Sequence, residues 1–138
     1  MDIKQISVFL ENTSGRLSKV TQALAQSKIN LRAISIADTA DFGILRLIVD
    51  KTDEAVKVLN NAGFTTKLTD VAAVQIDDIP GSLAKLMDLF QTSNVNIEYL
   101  YASLERESGK AVIIFKLQDH HKGMQIIKDS GHKIAEKF

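Results

Sequence analysis

The residues of this chain that could do chemistry are few, and they occur twice. The stretch ENTSGRLSKVTQALAQSKINLRAISIAD, Glu11 to Asp38, returns in outline as DDIPGSLAKLMDLFQTSNVNIEYLYASL, Asp77 to Leu104. In each, small polar or turn-forming residues and a glycine stand where a strand gives way to a helix. The first copy has Asn12, Thr13, Ser14 and Gly15; the second has Asp78, Ile79, Pro80 and Gly81. A leucine follows each glycine, Leu17 or Leu83, and an asparagine lies downstream, Asn30 or Asn96. The chemistry such a loop offers is anion binding. The first amides of a helix lack intrahelical partners, and the aligned peptide dipoles favour a carboxylate there.

Glycine lets the backbone turn tightly or approach another group. Pro80 fixes φ and removes a donor at the point where the first helical turn leaves donors unused. Without a proline, the first loop is expected to be less pre-organised and to cap its helix through the oxygen of Thr13 or Ser14. Asn30 and Asn96 carry carboxamides able to meet an ammonium or a carboxylate. They also stand where asparagine closes a turn or ends a helix.

Other chemistries find less support. Acyl or phosphoryl transfer needs a nucleophile, a base and an oxyanion site within reach. The histidines, His120, His121 and His132, are confined to the second half, and the carboxylates show no pair aimed into one cleft. The Gly15–Arg16 step is a faint echo of acylphosphatase, but that loop is not glycine-rich and the second copy has Ser82 in place of the arginine. His120 and His121 beside Asp119 lack the spacing of a metal site and read as a solvated helix start. No metal and no cofactor are expected. Tyr99 and Tyr101 fall on the wrong strand for base stacking in an RNA-binding sheet. With 17 basic and 17 acidic residues balanced, no net field gathers nucleic acid or an anionic membrane.

The elements that position these residues follow from periodicity. Ile6, Val8 and Leu10 alternate as on a half-buried strand. Leu17, Val20 and Leu24 form a helical stripe with Ala23 beside it. The segments 29–38 and 44–50 are apolar and β-branched, with TADFG turning between them. A short helix follows, with Ala55, Val58, Leu59 and Ala62 inward and Gly63 as its C-cap, and FTTKLTD closes the unit. The order then repeats: Ala72, Val74 and Ile76; a helix lined by Leu83, Leu86, Met87 and Phe90; strands over 95–104 and 111–117 joined by ERESG; the helix HKGMQIIKDSG; and the strand HKIAEKF.

One constant offset relates Gly15 to Gly81, Leu17 to Leu83, Lys19 to Lys85 and Asn30 to Asn96, and a slightly longer one relates Gly63 to Gly131. This duplication predicts an α+β chain of two tandem ferredoxin-like βαββαβ modules, 1–70 and 71–138, each with helices on one face of its sheet. No Gly/Ser linker separates them. The alternate strand positions hold Phe9, Ile44, Ile48, Val112 and Ile114, so both sheet faces carry apolar area, and association through paired sheets is expected. The absence of cysteine removes disulfides and thiolate ligands. The amino terminus lacks the form of a secretion signal, and no apolar run reaches the roughly 20 residues of a membrane span, so a cytoplasmic location is expected.

These repeated stretches resemble the ACT domain over nearly the whole chain, twice. The second is especially similar to the D-x-P-G-x-L form of the regulatory module of phosphoglycerate dehydrogenase, through Asp78, Pro80, Gly81 and Leu83 with Asn96. The first departs from it, with Asn12, Ser14, Gly15 and Leu17 before Asn30. The resemblance implies a non-catalytic regulatory protein that binds a small effector, most often an amino acid, and acts on a separate enzyme or regulator. It implies ligand contacts from residues 11–17 and 77–83, with Asn30 and Asn96 reaching across paired domains, and separately a homo-oligomer, expected as a dimer. The alternative is a ligand-free interaction module that oligomerises through its sheets.

Overall fold

The computed structural model describes residues 3–38, 41–104 and 108–135. Parts of the turns TADFG and ERESG, and the last residues of HKIAEKF, lie outside the described residues. Internal contacts gather the chain into two compact units, Lys4–Thr69 and a second that runs on from Asp70 and takes in Ile3.

The first unit contains β1 (Ile3–Glu11), α1 (Arg16–Gln26), β2 (Leu31–Asp38), β3 (Phe42–Val49), α2 (Thr52–Asn61) and the start of β4 (Thr65–Asp77). In the second, the rest of β4 leads to α3 (Ser82–Thr92), β5 (Ile97–Ala102), β6 (Lys110–Leu117), α4 (His120–Asp129) and β7 (Lys133–Ile134). Each unit has the βαββαβ order of the ferredoxin-like fold. The strands β2 and β5 begin later than the apolar pattern predicts, because Ile29 and Val95 belong to helix-terminating turns.

β3 lies between β1 and β2, antiparallel to both, with Leu45 opposite Val8 and Ile36. β6 lies between β4 and β5, with Phe115 opposite Ala72 and Leu100. Val74 pairs with Ile113 on one side and Ile134 on the other, so β7 adds to the far edge of β4. The period-two pattern carries one face of each sheet into a core. Ile6, Val8, Leu10, Leu45 and Leu47 pack with Val20 and Leu24 of α1, Ala55 and Leu59 of α2, and Phe64. Ala72, Val74, Ile113, Phe115 and Leu117 pack with Leu86 and Phe90 of α3 and Met124 and Ile127 of α4. The Phe90 and Phe115 rings meet tilted, 5.4 Å between centroids.

Three residues expected inside stand in solvent, Leu17, Leu83 and Ala62. Leu17 is 41% exposed because it sits in the first turn of α1, ahead of the residues that face the sheet. Leu83, in the first turn of α3, is its counterpart. Ala62 is exposed because the helix ends there, and the buried Phe64 fills the space instead. On the opposite face of each sheet, Ile48 and Ile114 are buried and Ile44 and Val112 are half-buried, whereas Phe9 is exposed.

Three helices end alike. The amide of the residue after the C-cap bonds back to a carbonyl, and the next amide closes a wider ring: Lys28 to Ala25 and Ile29 to Leu24; Gly63 to Asn60 and Phe64 to Leu59; Asn94 to Gln91 and Val95 to Phe90. This is the Schellman arrangement, sealed each time by an apolar residue. It requires a left-handed residue, supplied by Gly63 (φ 91°) but also by Lys28 and Asn94 (both φ 56°). The helix-ending residues are therefore Lys28 and Asn94, and not Asn30 and Asn96.

Candidate functional site

The two glycine loops have nearly one geometry. Gly15 has φ 88° and ψ −10°, Gly81 φ 91° and ψ −14°, and each is the N-cap of its helix. The following amides fold back, Arg16 to the Thr13 carbonyl at 3.5 Å and Ser82 to the Ile79 carbonyl at 3.3 Å. A glycine with positive φ and ψ near zero at the third position of such a turn is the signature of type II. Pro80 occupies the second position, where proline is favoured, and Ser14 occupies it in the first unit. Pro80 thus belongs to the turn ahead of α3, outside the first helical turn where the sequence places it. The strand end is also held alike, by Asn12 N–H to the Asp41 carbonyl (3.0 Å) and Asp78 N–H to the Gly109 carbonyl (2.9 Å).

Neither α1 nor α3 has a side-chain cap, and neither has an acidic residue in its first turn. The expected cap from Thr13 or Ser14 does not form, because the type II turn makes Gly15 the N-cap and it has no side chain. The first i→i−4 bonds are Lys19 to Gly15 and Lys85 to Gly81. The amides of Leu17 and Ser18, and of Leu83 and Ala84, precede them in the first turn. The other two helices supply their own negative charge: Asp119 accepts from the Lys122 amide at 3.1 Å, and α2 opens with Asp53 and Glu54. Among the described residues, only α1 and α3 have neither a side-chain cap nor an acidic residue in the first turn. Cations stand near these helix starts, Arg16 and Lys19 on α1 and Lys85 on α3. Arg16 lies 4.8 Å above the Phe64 ring, which fixes its direction.

Asn30 and Asn96 are exposed, and their backbones are engaged. Asn30 N–H donates to the Asp50 carboxylate at 3.0 Å, and its carbonyl accepts from Asp50 N–H at 3.2 Å. The Asn96 carbonyl accepts from Gln118 N–H at 3.0 Å. The main chain closes the turn, which leaves the carboxamides facing outward. Within a unit they do not meet the glycine loop. Asn96 follows the C-terminal end of α3 while Gly81 begins it, and an 11-residue helix is about 16 Å long. Two separate clefts reflect this. One, of about 440 Å³, lies at the head of α3 among Gln75, Ile76, Asp77, Ile79, Ser82, Lys85, Lys110 and Lys133. The other, about 570 Å³, lies at its tail beside Met87, Asn94, Asn96 and Gln118.

In the first cleft Lys110 Nζ donates to the Asp77 carboxylate across the β4–β6 pair. That bond, aided by the charges of Lys110 and Lys85, holds the Asp77 carboxyl below its ordinary value of 3.8. Sequence reasoning missed these lysines as cleft residues because they come from α3, β6 and β7, so no spacing announces them. Elsewhere, Tyr101 is buried and unavailable for stacking a base. Asp119, considered beside His120 and His121, is committed to capping α4, and no group of three or more metal-ligating side chains occurs among the described residues.

Comparison with known proteins agrees with the two-unit architecture. The family model described as the ACT domain pair matches residues 1–137, and the chain belongs to this family, whose domains are regulatory and typically bind small molecules. The structure of protein BT0572 from Bacteroides thetaiotaomicron is 38% identical and superposes with a TM-score of 0.92, covering 98% of this chain and 92% of that one. The regulatory subunit of aspartate kinase from Thermus thermophilus, in ligand-free form, is 21% identical, with a TM-score of 0.67 and coverage of 93% and 91%. That from Thermus flavus is 20% identical, with a TM-score of 0.63 and coverage of 95% and 94%. These two share the fold. The expected likeness of the second module to phosphoglycerate dehydrogenase gains no support from relatives that are aspartate kinase subunits. No curated protein matches the chain.

Proposed function

We propose that this chain is an amino-acid-binding regulatory protein that acts on a separate enzyme. The observation that carries this reading is the contrast between its helices. α2 and α4 bring acidic groups to their N-termini, while α1 and α3, each behind a type II glycine turn, bring none. A ligand carboxylate completes what the chain omits. Asn12, Thr13, Ser14, Gly15 and Leu17 form one ligand loop, and Asp78, Ile79, Pro80, Gly81 and Leu83 the other. Leu17 and Leu83, exposed at 41% and 37%, supply the apolar contact. Asn96 and Asn30 lie a helix length from the loop of their own module. They therefore orient a ligand held by a paired module and not by their own loop. The Thermus structures are named as regulatory subunits of aspartate kinase, which supports a mode of action in trans on a biosynthetic enzyme.

The test is a thermal-shift screen of the purified protein against all amino acids, since a ligand that binds only the folded form raises its apparent stability. At least one amino acid is expected to stabilise it, and Asn96→Ala and Gly81→Val to diminish that response. Silence across the whole set would sink the sensor reading. It would favour a ligand-free interaction module, a reading to which the exposed Phe9 (45%) and Phe42 (57%) lend weight.

A further inference from the structure

The cleft at the head of α3 has a charge that a neutral amino acid does not balance. Its lining brings together Lys85 from α3, Lys110 from β6 and Lys133 from β7, against one carboxylate, Asp77. Asp77 is already taken, since it accepts from Lys110 across the strand pair. His132, also on the lining, has its Nδ1 2.8 Å from Ser130 Oγ. Lys85 acts on Asp77 only through its charge, and neither Lys85 nor Lys133 forms an ion pair among the described residues. Lys133 is held in place by backbone, opposite Gln75 in the β4–β7 ladder, so its position is built into the fold. Ser82 places the start of α3 on the same wall. A ligand with one carboxylate and one ammonium has no net charge and leaves this excess uncompensated.

We infer that the cleft selects a small ligand carrying two anionic groups, one held at the head of α3 beside Lys85 and the other by Lys133. This rests on the amino-acid-binding reading, within which it specifies an acidic amino acid over its amide or a hydroxyl-bearing one. The volume of about 440 Å³ admits such a molecule.

The experiment is calorimetric titration of the intact protein with aspartate, glutamate, asparagine, glutamine, serine and succinate, at low and high salt. Each is repeated on Lys133→Gln and Lys85→Gln. Charge-assisted hydrogen bonds exceed neutral ones in strength, so aspartate and glutamate should bind on the order of tenfold or more tighter than asparagine and glutamine. Each lysine variant should remove about tenfold of that preference, and raised salt should narrow it. Tight binding of succinate adds that the two anionic groups suffice without an ammonium. If asparagine, glutamine or serine bind as well as the acids, and the lysine variants change nothing, the charge selection is wrong while the sensor reading stands. If none of these six compounds binds, the charge selection falls, and the sensor reading falls with it only if the screen of all amino acids is silent as well.

Discussion

Replacing Gly81 by alanine isolates the cost of the turn from everything else in the loop. Gly81 has φ 91°, and a Cβ built on it meets no atom within 4 Å, so the substitution adds strain without a clash. Left-handed backbone costs an L-residue roughly 1–2 kcal/mol, and φ here lies beyond the ideal of about 57°, which favours the upper end. Alanine also reduces the freedom of the unfolded chain, which returns about 0.4–1 kcal/mol. A net loss of about 1 kcal/mol follows, or on the order of 0.3–1 M in the urea midpoint at usual denaturant slopes. Gly15 (φ 88°) has the same open surroundings, so Gly15→Ala should cost the same despite the absence of proline in its loop. Asparagine tolerates this conformation, so Gly81→Asn should cost less than Gly81→Ala. Urea unfolding followed by circular dichroism measures all three. If Gly81→Ala leaves the midpoint unchanged, or the two alanine variants differ by more than about 0.5 kcal/mol, the claim of matched type II turns is refuted.

Two further predictions concern backbone and charge. Lys28→Gly should stabilise the protein by about 0.5–1 kcal/mol, because relief of left-handed strain exceeds the entropy glycine adds to the unfolded chain. Asn94→Gly should gain less, and a lower melting temperature for Lys28→Gly would contradict the helix-end assignment. For Asp77, the folded carboxyl titrates below its ordinary value of 3.8 through its bond to Lys110, so the pair's contribution is present above that value and is lost as pH falls through the folded one. Carboxyl NMR titration should show the Asp77 midpoint moving up toward 3.8 in Lys110→Met; no movement would mean the pair is not formed in solution.

Strand and helix order was legible because alternation and helical stripes survive in both copies, as with Ile6, Val8 and Leu10 or Leu86 and Phe90. The glycines of the loops were legible too, since no other residue type takes φ near 90° without strain. What escaped the sequence has a physical reason in each case. Lys28 and Asn94 end helices by backbone bonding, and a lysine there carries no compositional signal. Leu17 fits the stripe by spacing, yet a residue in the first turn has not reached the sheet it would pack on. Phe64 reads as the start of a strand, but it is the apolar seal of the turn that ends α2. The cleft lysines lie on separate elements, and only the fold gathers them.

β4 runs unbroken from Thr65 to Asp77, through the point at which one compact unit gives way to the other. A protease needs a stretch of chain that can leave its hydrogen bonds and thread an active site, and here the boundary is itself a strand with Val71 and Ala72 buried. Digestion should therefore fail to release the two halves as separate fragments. For the same reason neither half can be expressed alone without cutting through a strand, so a gene split at this boundary leaves each product with a severed β4. Duplication made the modules alike, but the strand that joins them makes them one heritable piece.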